Sequence, residues 1–201
     1  MHMWEERYDT DDYLFGRAPA RFLKTHEACL TPGAKALSVA DGEGRNSVFL
    51  AQKGLEVTGF DYAPSAVEKA RALAAEAGVN VRYEVGDIET WGWPEAAYDL
   101  VVGIFIQFAG PDLRPRLFER MKRALKPGGV LLLHGYTPKQ LDHGTGGPKV
   151  LENLYTPELL QEAFGDMEIR ELESYEAELS EGTGHVGRSA LIDLVAVKPA
   201  P

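Results

Sequence analysis

Two closely spaced glycines and a later aspartate are the residues whose types and spacing point most clearly to chemistry. Gly42 and Gly44 follow the apolar residues 36–39 and precede a helical pattern that begins at Arg45. Amide groups at the start of a helix attract anionic groups, and glycine lets a ligand approach the backbone. Asp61 lies 17 residues after Gly44, at the end of the next apolar run, where a carboxylate can accept hydrogen bonds from both hydroxyls of a ribose. This order of features predicts a site for an adenosine-containing cofactor.

Other uses of the same pattern stay open at this level. Glycine in a turn between a strand and a helix can also serve purely steric needs. The full dinucleotide fingerprint would place a third Gly or Ala where Ser47 stands. The sequence has no Tyr-x-x-x-Lys pair and no Gly-Lys dipeptide of a phosphate-binding loop, so a redox enzyme or an ATPase lacks half of its expected signature. A nicotinamide-dependent oxidoreductase is kept as the main alternative.

The elements that must position these residues alternate along the chain. Short β-type runs occupy residues 36–39, 55–60, 81–85, 98–105 and 130–133, and helical patterns occupy residues 45–53, 63–77, 113–125 and 157–164. Such alternation is typical of an α/β domain with a mostly parallel sheet. Two more β-type runs, residues 167–179 and 189–197, flank a glycine-containing turn and predict an antiparallel hairpin at the sheet edge. Seven strands are therefore expected.

Composition and charge exclude several functional classes. The 201 residues include 21 Lys and Arg against 31 Asp and Glu, a net charge of −10, which repels nucleic acids and anionic membranes. The longest apolar stretch, residues 100–106, is far too short to span a bilayer, and the first residues lack the pattern of a signal peptide. We therefore expect a cytoplasmic protein that binds neither nucleic acid nor membrane. The single cysteine, Cys29, packs as a small apolar residue, and no Cys/His cluster indicates a metal.

The motifs together resemble class I S-adenosylmethionine-dependent methyltransferases, and more narrowly their small tellurite-resistance-type branch. The glycine loop, Gly-Glu-Gly-Arg-Asn-Ser at residues 42–47, is typical of that branch. The family's other marks follow in order: Asp61 after the second strand, Gly-Asp-Ile at 86–88 after the third, residues 98–102 as the fourth, and Leu-Lys-Pro-Gly-Gly at 125–129 before the fifth. Residues 4–8 and 13–16 look like the N-terminal cap of the same branch.

The resemblance implies a fold, a domain organisation and an activity. The fold is a Rossmann-like, doubly wound, mostly parallel seven-stranded sheet with helices on both faces and an antiparallel C-terminal hairpin. Residues 1–201 would form one domain with an N-terminal cap (1–33), a cofactor-binding core (34–136) and an acceptor-side region (137–201). The implied activity is transfer of a methyl group to a small-molecule acceptor by in-line displacement, with S-adenosyl-L-homocysteine as product and no metal.

The resemblance also implies roles for particular residues. Gly42 and Gly44 would line the methionine portion of the cofactor, Asp61 would bind the ribose, and Asp87 with Ile88 would hold the adenine. The full set of expected cofactor-binding residues is Ala40, Asp41, Gly42, Gly44, Arg45, Asn46, Asp61, Tyr62, Asp87, Ile88, Gly103 and Phe105.

Two positions depart from the family pattern. The family usually carries an acid where Ser38 stands and a glycine where Ala40 stands. We therefore expect the contacts with the methionine portion of the cofactor to differ from those of the family. Asp41 or Glu43 could supply the missing carboxylate. The departures also leave a third possibility open, a non-catalytic regulator that senses S-adenosylmethionine.

The acceptor is expected over the carboxyl ends of the strands, where open α/β sheets bind ligands. The nearest segments by topology are residues 105–108, 134–136 and 144–147. We expect Phe105 and Phe108 to form core or pocket walls, residues 144–147 to form a lid, and residues 182–185 to form a turn. The candidates for a general base are His134 and Tyr136, although a hydrogen-bonded structural histidine is the commoner explanation for His134. The sequence identifies neither the acceptor nor the oligomeric state.

Overall fold

A computed structural model describes residues 2–10 and 12–200 of the chain. The helices of this part are α1 (His2–Tyr8), α2 (Arg21–Thr25), α3 (Arg45–Gln52), α4 (Pro64–Glu76), α5 (Arg114–Ala124), α6 (Gln140–His143) and α7 (Pro157–Phe164). The strands are β1 (Lys35–Val39), β2 (Glu56–Asp61), β3 (Val81–Val85), β4 (Tyr98–Ile104), β5 (Leu125–Tyr136), β6 (Glu168–Glu181) and β7 (His185–Val197).

The strands form one seven-stranded sheet in the order β3-β2-β1-β4-β5-β7-β6. β1 with β2, β2 with β3, and β4 with β5 pair in parallel, whereas β5 and β7 are antiparallel. The predicted Rossmann-like α/β sheet with a C-terminal hairpin is therefore confirmed. The longest helix, α4, has 13 residues, and among the described residues no helix has both the length and the apolar character needed to cross a membrane.

The structure differs from the sequence expectations mainly on the side of β5. This strand begins at Leu125 rather than at residue 130, because Leu125 already pairs with Tyr98 of β4. The Lys-Pro-Gly-Gly segment that follows is accommodated by a register shift between Tyr98 and Leu100. Residues 135–155, where the sequence patterns predict neither a helix nor a strand, contain α6 and a short 3-10 turn, Leu151–Asn153. Polar side chains rather than an apolar repeat organise this segment, since the Gln140 amide donates to Thr145 and to the carbonyl of Gly146. The apolar periodicity on which the helix expectations depend is absent from such a segment.

The chain folds into two compact units, each with its own apolar core. Unit 1 comprises the residues up to Gly92 together with Glu181–Gly184, and unit 2 comprises Trp93–Ser180 and the residues from His185 onward. In unit 1, apolar residues three and four apart on α4 pack with Val48 and Tyr83. In unit 2, Tyr136, Leu154, Leu179 and Leu191 form a core cluster.

The helix α7 begins with a signal that is visible in the sequence. Thr156 has extended backbone angles, and its hydroxyl accepts a hydrogen bond from the amide of Leu159 at 3.2 Å. Pro157 occupies the first helical turn, where its missing N–H leaves no intrahelical bond unmade. Leu160 and Phe164 then lie buried on one face of the helix.

We expect Thr156→Ala to lower the free energy of unfolding by about 1 kcal/mol, because it removes the only side-chain acceptor in this N-cap. Thr156→Ser keeps the hydroxyl and should change stability much less. Urea denaturation of the two variants measures both values. Equal stabilities for the Ala and Ser variants would show that the hydroxyl does not cap α7.

Candidate cofactor and acceptor sites

The glycine loop between β1 and α3 turns sharply because three of its residues have left-handed backbone angles. The φ angle is +49° at Ala40, +61° at Gly42 and +87° at Gly44. An alanine in this region costs about 1–2 kcal/mol relative to right-handed geometry. Ala40 thus takes a conformation that a glycine, the residue expected here from the resemblance, would adopt easily.

Both glycines of the loop are also required by the packing of the protein itself. A Cβ on Gly44 would lie 2.7 Å from the Cβ of Ala70 in α4 and 2.9 Å from the hydroxyl of Tyr83. A Cβ on Gly42 would lie 2.9 Å from the hydroxyl of Tyr8 in α1. A steric role for these glycines was left open by the sequence, and the close approach of α4 and α1 to the loop supplies one.

Asp61, at the end of β2, connects the glycine loop to the start of α4. One carboxylate oxygen accepts a hydrogen bond from the amide of Gly42, and the other accepts from the amide of Ala63, both at 2.9 Å. The residue is only 7% exposed, and burial raises its pKa above the usual value of 3.8, while the backbone hydrogen bonds oppose that rise. The backbone amide of Tyr62 also stabilises the charged carboxylate, which as a whole offers about four lone-pair sites.

Asp41 is buried in a hydroxyl network beside the loop. Its carboxylate accepts hydrogen bonds from Ser38 at 2.6 Å and from Ser47, and the Ser47 hydroxyl is also 2.8 Å from that of Tyr83. Burial raises the pKa of Asp41 to about 6, although the two serine hydroxyls favour the charged form. A buried carboxylate therefore lies next to Ser38, the position at which the resemblance would place an acid.

The other charged residues of the loop are engaged in contacts within unit 1. Glu43 forms a buried ion pair with Lys69 at 2.9 Å. Arg45 forms an ion pair with Glu181 at 2.8 Å, and both side chains are largely buried. The side-chain oxygen Oδ1 of Asn46 accepts a hydrogen bond from the backbone amide of Ala20. Arg45 and Asn46 thus connect the loop to the segments that contain Glu181 and Ala20, and their expected contacts with a cofactor stay a prediction.

The turn after β3 carries the residues expected to hold the adenine. Asp87 accepts a hydrogen bond from the amide of Glu89 through one oxygen at 2.7 Å, and the Ile88 side chain is largely buried. Trp91 stacks on Phe60 with ring centroids 4.2 Å apart. The turn is therefore anchored to β2, with an acid and an apolar side chain next to each other. Tyr62, beside Asp61, is 38% exposed.

In unit 2, a strained aromatic residue follows β4. Phe105 has a φ angle of +56°, which is rare for a bulky side chain, and its amide donates to the carbonyl of His134 at 2.9 Å. Its ring centroid lies 4.7 Å from those of His134 and Tyr136 and 4.1 Å from that of His185. We call these four rings the aromatic cluster.

Gly103, two residues earlier, is surrounded by core side chains. A Cβ there would lie 2.8 Å from Ile106 and from Met121, and 3.2 Å from Leu133. These contacts explain the glycine by packing within unit 2, and they leave its expected role toward the cofactor as a prediction.

His134 has a carboxylate partner that sequence reasoning did not identify. Its Nδ1 lies 2.5 Å from an oxygen of Asp193, which faces it directly across the β5–β7 pair. The Tyr175 hydroxyl donates to the same oxygen at 3.3 Å. The available signal was Asp193 itself, the one charged residue in the apolar run at positions 190–197, since an acid in a buried strand needs a partner.

Residues 137–147 are tied to the C-terminal hairpin through Glu176. This carboxylate contacts His143 and Arg188 at 2.8 Å and Lys139 at 3.1 Å, and the hydrogen bonds from these groups lower its pKa to about 2. Gly147 lies against the Tyr136 ring: a Cβ added to Gly147 would be only 2.8 Å from a ring carbon of Tyr136. Gly147 therefore packs on one ring of the aromatic cluster, and the role of residues 144–147 as a lid stays a prediction.

Gly44→Ala should destabilise the protein by about 2–4 kcal/mol, because it combines a left-handed backbone angle with a clash against α4. Gly78→Ala is the matched control: its φ angle is +68°, but an added Cβ would meet nothing within 4 Å. The control should lose only about 1–2 kcal/mol. Urea denaturation compares them, and equal losses would show that the approach of Ala70 does not constrain the loop.

Asp41 should make folding stability depend on pH. Its folded pKa of about 6 lies above the unfolded value of 3.8, so its contribution to stability is present below pH 4 and is lost as the pH rises through 6. A shift of two units corresponds to about 3 kcal/mol. The stability difference between the wild type and Asp41→Asn should fall by that order between pH 4 and pH 7 in urea denaturation. A difference that does not change with pH would contradict the raised pKa.

Comparison with known proteins adds the family context. Residues 36–129, a little under half of the chain, match the family model described as a methyltransferase domain. An uncharacterised methyltransferase from Synechocystis sp. is 30% identical over 112 residues, which cover 55% of this chain and 51% of that protein. The chain thus spans about half the length of the curated relatives it matches.

Two solved structures share the fold over most of the chain. A SAM-dependent methyltransferase from Methanosarcina mazei has a TM-score of 0.72 at 21% identity, covering 88% of this chain and 98% of its own. TehB from Haemophilus influenzae also has a TM-score of 0.72, at 20% identity, covering 97% of this chain and 65% of its own. The match to the methyltransferase family model therefore spans the glycine loop and Asp61, and the two solved structures share the fold of the chain.

Proposed function

We propose that this chain transfers a methyl group from S-adenosylmethionine to a small-molecule acceptor. The observation that carries the proposal is the position of Asp61 inside the segment that matches the methyltransferase family. Its carboxylate is fixed by the amides of Gly42 and Ala63, and a carboxylate at the end of this strand is the type of acceptor that the hydroxyls of a ribose require. The turn with Asp87 and Ile88 would take the adenine, and the loop from Ala40 to Gly44 would take the methionine portion.

The charge of the glycine loop favours this cofactor over a nicotinamide dinucleotide. Asp41 and Glu43 flank Gly42, Asp61 is hydrogen-bonded to it, and all three carboxylates are buried. Of the nearby cations, Lys69 is paired with Glu43 and Arg45 with Glu181. A doubly anionic pyrophosphate would be repelled by such a loop, whereas a sulfonium and an ammonium group would be attracted. The acids of the loop therefore support a cationic methyl donor.

The chemistry that S-adenosylmethionine supplies when bound is a methyl group activated by its bond to a sulfonium. The protein's part is then mainly alignment, because an in-line displacement gains most from holding the two reactants in the reactive orientation. Asp61 and Asp87 would fix the adenosyl portion through its hydroxyls and its amino group. A metal is not required for this reaction, and the tellurite-resistance-type branch and a cytoplasmic location remain proposals based on the sequence.

Thermal denaturation with S-adenosylhomocysteine, S-adenosylmethionine and NADH tests the choice of cofactor. A ligand at about one hundred times its Kd stabilises the folded state by about 2.7 kcal/mol. We expect both sulfur-containing ligands to raise the melting temperature and NADH to leave it unchanged. Stabilisation by NADH alone would favour the oxidoreductase, and binding of S-adenosylmethionine without release of S-adenosylhomocysteine on any acceptor would favour a sensor.

Substitutions of Asp87 and Glu89, two acids of the turn after β3, test cofactor binding more sharply than a substitution of Asp61. Replacing Asp61 by Ala would leave two buried amides without their acceptor, so the fold would suffer together with binding. Asp87→Asn keeps an acceptor for the amide of Glu89 but turns the other oxygen into a donor. Glu89→Gln removes the same charge from the same turn and is the control.

We expect the Kd of S-adenosylhomocysteine in calorimetry to rise about tenfold or more for Asp87→Asn, which corresponds to one hydrogen bond to a charged group. Glu89→Gln should change it less than about twofold, since that acid is exposed and placed away from the adenine in this proposal. Equal effects of the two substitutions would mean that only the net charge of the turn matters, and the assignment of Asp87 would be wrong.

A further inference from the structure

We propose that Tyr8, at the end of α1, binds the cofactor by donating a hydrogen bond from its hydroxyl to the carboxylate of the methionine portion. The inference rests on the proposed methyl transfer and adds to it a binding residue and the group of the cofactor which that residue recognises. Tyr8 is not among the cofactor-binding residues expected from the sequence. The argument starts from the position of its hydroxyl and uses residues of unit 1 alone.

The hydroxyl of Tyr8 points at the glycine loop. A Cβ added to Gly42 would lie 2.9 Å from the hydroxyl oxygen and farther from every ring carbon of Tyr8. The residue is only 6% exposed. Within residues 2–10 and 12–200, its hydroxyl forms no hydrogen bond. Burial of a hydroxyl without a partner lowers the stability of a protein, and a ligand bound beside Gly42 would supply that partner.

Apolar contacts hold the Tyr8 ring in this place. The ring packs with Ala63 and Ala66 at the start of α4. Trp4 stacks on it with ring centroids 5.6 Å apart, and Phe15 meets it nearly edge-on at 6.3 Å. Because the ring is enclosed on several sides, the direction of its hydroxyl is set by the packing of unit 1.

A hydrogen-bonded carboxylate attaches α1 to the same end of α4. Oε2 of Glu5 accepts hydrogen bonds from the backbone amide of Ser65 at 3.3 Å and from its hydroxyl at 3.0 Å. Ser65 lies in the first turn of α4, where backbone amides have no acceptor within the helix. The amide of Ala63, just before α4, donates to Asp61. The helix α1 is therefore bound next to the strand end that carries the proposed ribose acid.

The charges around Tyr8 keep its hydroxyl protonated. Burial and, to a smaller extent, the carboxylates of Asp61 and Glu43 raise the pKa of Tyr8 well above its usual value of 10.0. The cations of Arg7 and Arg45 oppose the rise. A phenol in these surroundings stays neutral near neutral pH, and it then has a hydrogen to donate.

The carboxylate of the methionine portion is the group of the cofactor that needs such a donor. The acids of the loop attract the ammonium group of that portion and repel its carboxylate. Two amides of the loop already have acceptors: that of Gly42 donates to Asp61 at 2.9 Å, and that of Gly44 donates to the carbonyl of Asp41 at 3.4 Å. A buried carboxylate requires hydrogen-bond donors, and the hydroxyl of Tyr8 is a donor that the fold leaves unused beside Gly42.

The test compares two ligands in three proteins. The ligands are S-adenosylhomocysteine and its decarboxylated form, S-adenosyl-3-thiopropylamine, which keeps the amino group and lacks the carboxylate. Tyr8→Phe removes only the hydroxyl. The matched control is Tyr13→Phe, the same change at a tyrosine of unit 1 whose hydroxyl donates to the carbonyl of Lys69 at 3.2 Å. Calorimetry of the wild type and both variants measures the Kd of each ligand.

We expect Tyr8→Phe to raise the Kd of S-adenosylhomocysteine about tenfold, the size of one hydrogen bond to a charged group. The Kd of the decarboxylated ligand should stay within about twofold in this variant, and Tyr13→Phe should change both values by less than about twofold. An equal rise for both ligands in Tyr8→Phe would mean that the hydroxyl does not recognise the carboxylate. That result, or an unchanged Kd for S-adenosylhomocysteine, would overturn the proposal.

The melting temperatures of the ligand-free proteins provide a second measurement. Tyr8→Phe should melt at the same temperature as the wild type or higher, because it removes a buried hydroxyl that has no partner in the described part of the chain. Tyr13→Phe should melt at a lower temperature, because it loses a hydrogen bond. A lower melting temperature for Tyr8→Phe would show that its hydroxyl is already bonded within the protein and would contradict the proposal.

The wild type alone separates the two levels of inference. It should bind the decarboxylated ligand about tenfold more weakly than S-adenosylhomocysteine, and equal affinities would contradict a donor for the carboxylate even if Tyr8→Phe failed to fold. Binding of S-adenosylhomocysteine that Tyr8→Phe leaves unchanged would remove only the role of Tyr8. If the wild type binds neither S-adenosylhomocysteine nor S-adenosylmethionine, the proposed methyl transfer itself fails.

Discussion

The carboxylate of Asp61 is the contact on which the organisation of unit 1 depends. It joins the amide of Gly42 in the loop after β1 to the amide of Ala63 before α4. Both amides belong to a buried region, so leaving them without an acceptor would cost about 1–3 kcal/mol each. The same carboxylate is the group proposed to bind the ribose. In this proposal one side chain serves both the folded loop and the cofactor, and its place at the end of a strand holds it rigidly for both.

The residues around Asp61 serve this arrangement in different ways. Ala40 and Gly42 turn the loop toward Asp61 through left-handed backbone angles, and Gly44 lets Ala70 of α4 approach. Asp41 is neutralised only partly, because burial raises its pKa to about 6. The loop therefore keeps negative charge near neutral pH. This charge is the physical reason for preferring a cationic methyl donor to a dinucleotide.

Much of this could be predicted from the sequence, and the remainder has identifiable physical causes. The positions of most strands, the glycine loop and Asp61 follow from short-range patterns, since apolar periodicity and turn residues act locally. Partners that are distant in sequence were not predictable: Asp193 beside His134, Glu181 beside Arg45, and Lys69 beside Glu43. The helix α6 was not predicted, because side-chain hydrogen bonds of Gln140 rather than apolar spacing organise this segment. A further bond, from the amide of Ala190 to the Gln140 side chain, forms only once β7 lies beside it.

The most direct test of the central claim is a crystal structure with S-adenosylhomocysteine bound. The account predicts both ribose hydroxyls within hydrogen-bonding distance of the Asp61 carboxylate, and the adenine amino group against Asp87. A bound ligand whose ribose lies away from Asp61, or a crystal in which the region beside residues 42–44 stays closed to the ligand at saturating concentration, would contradict it.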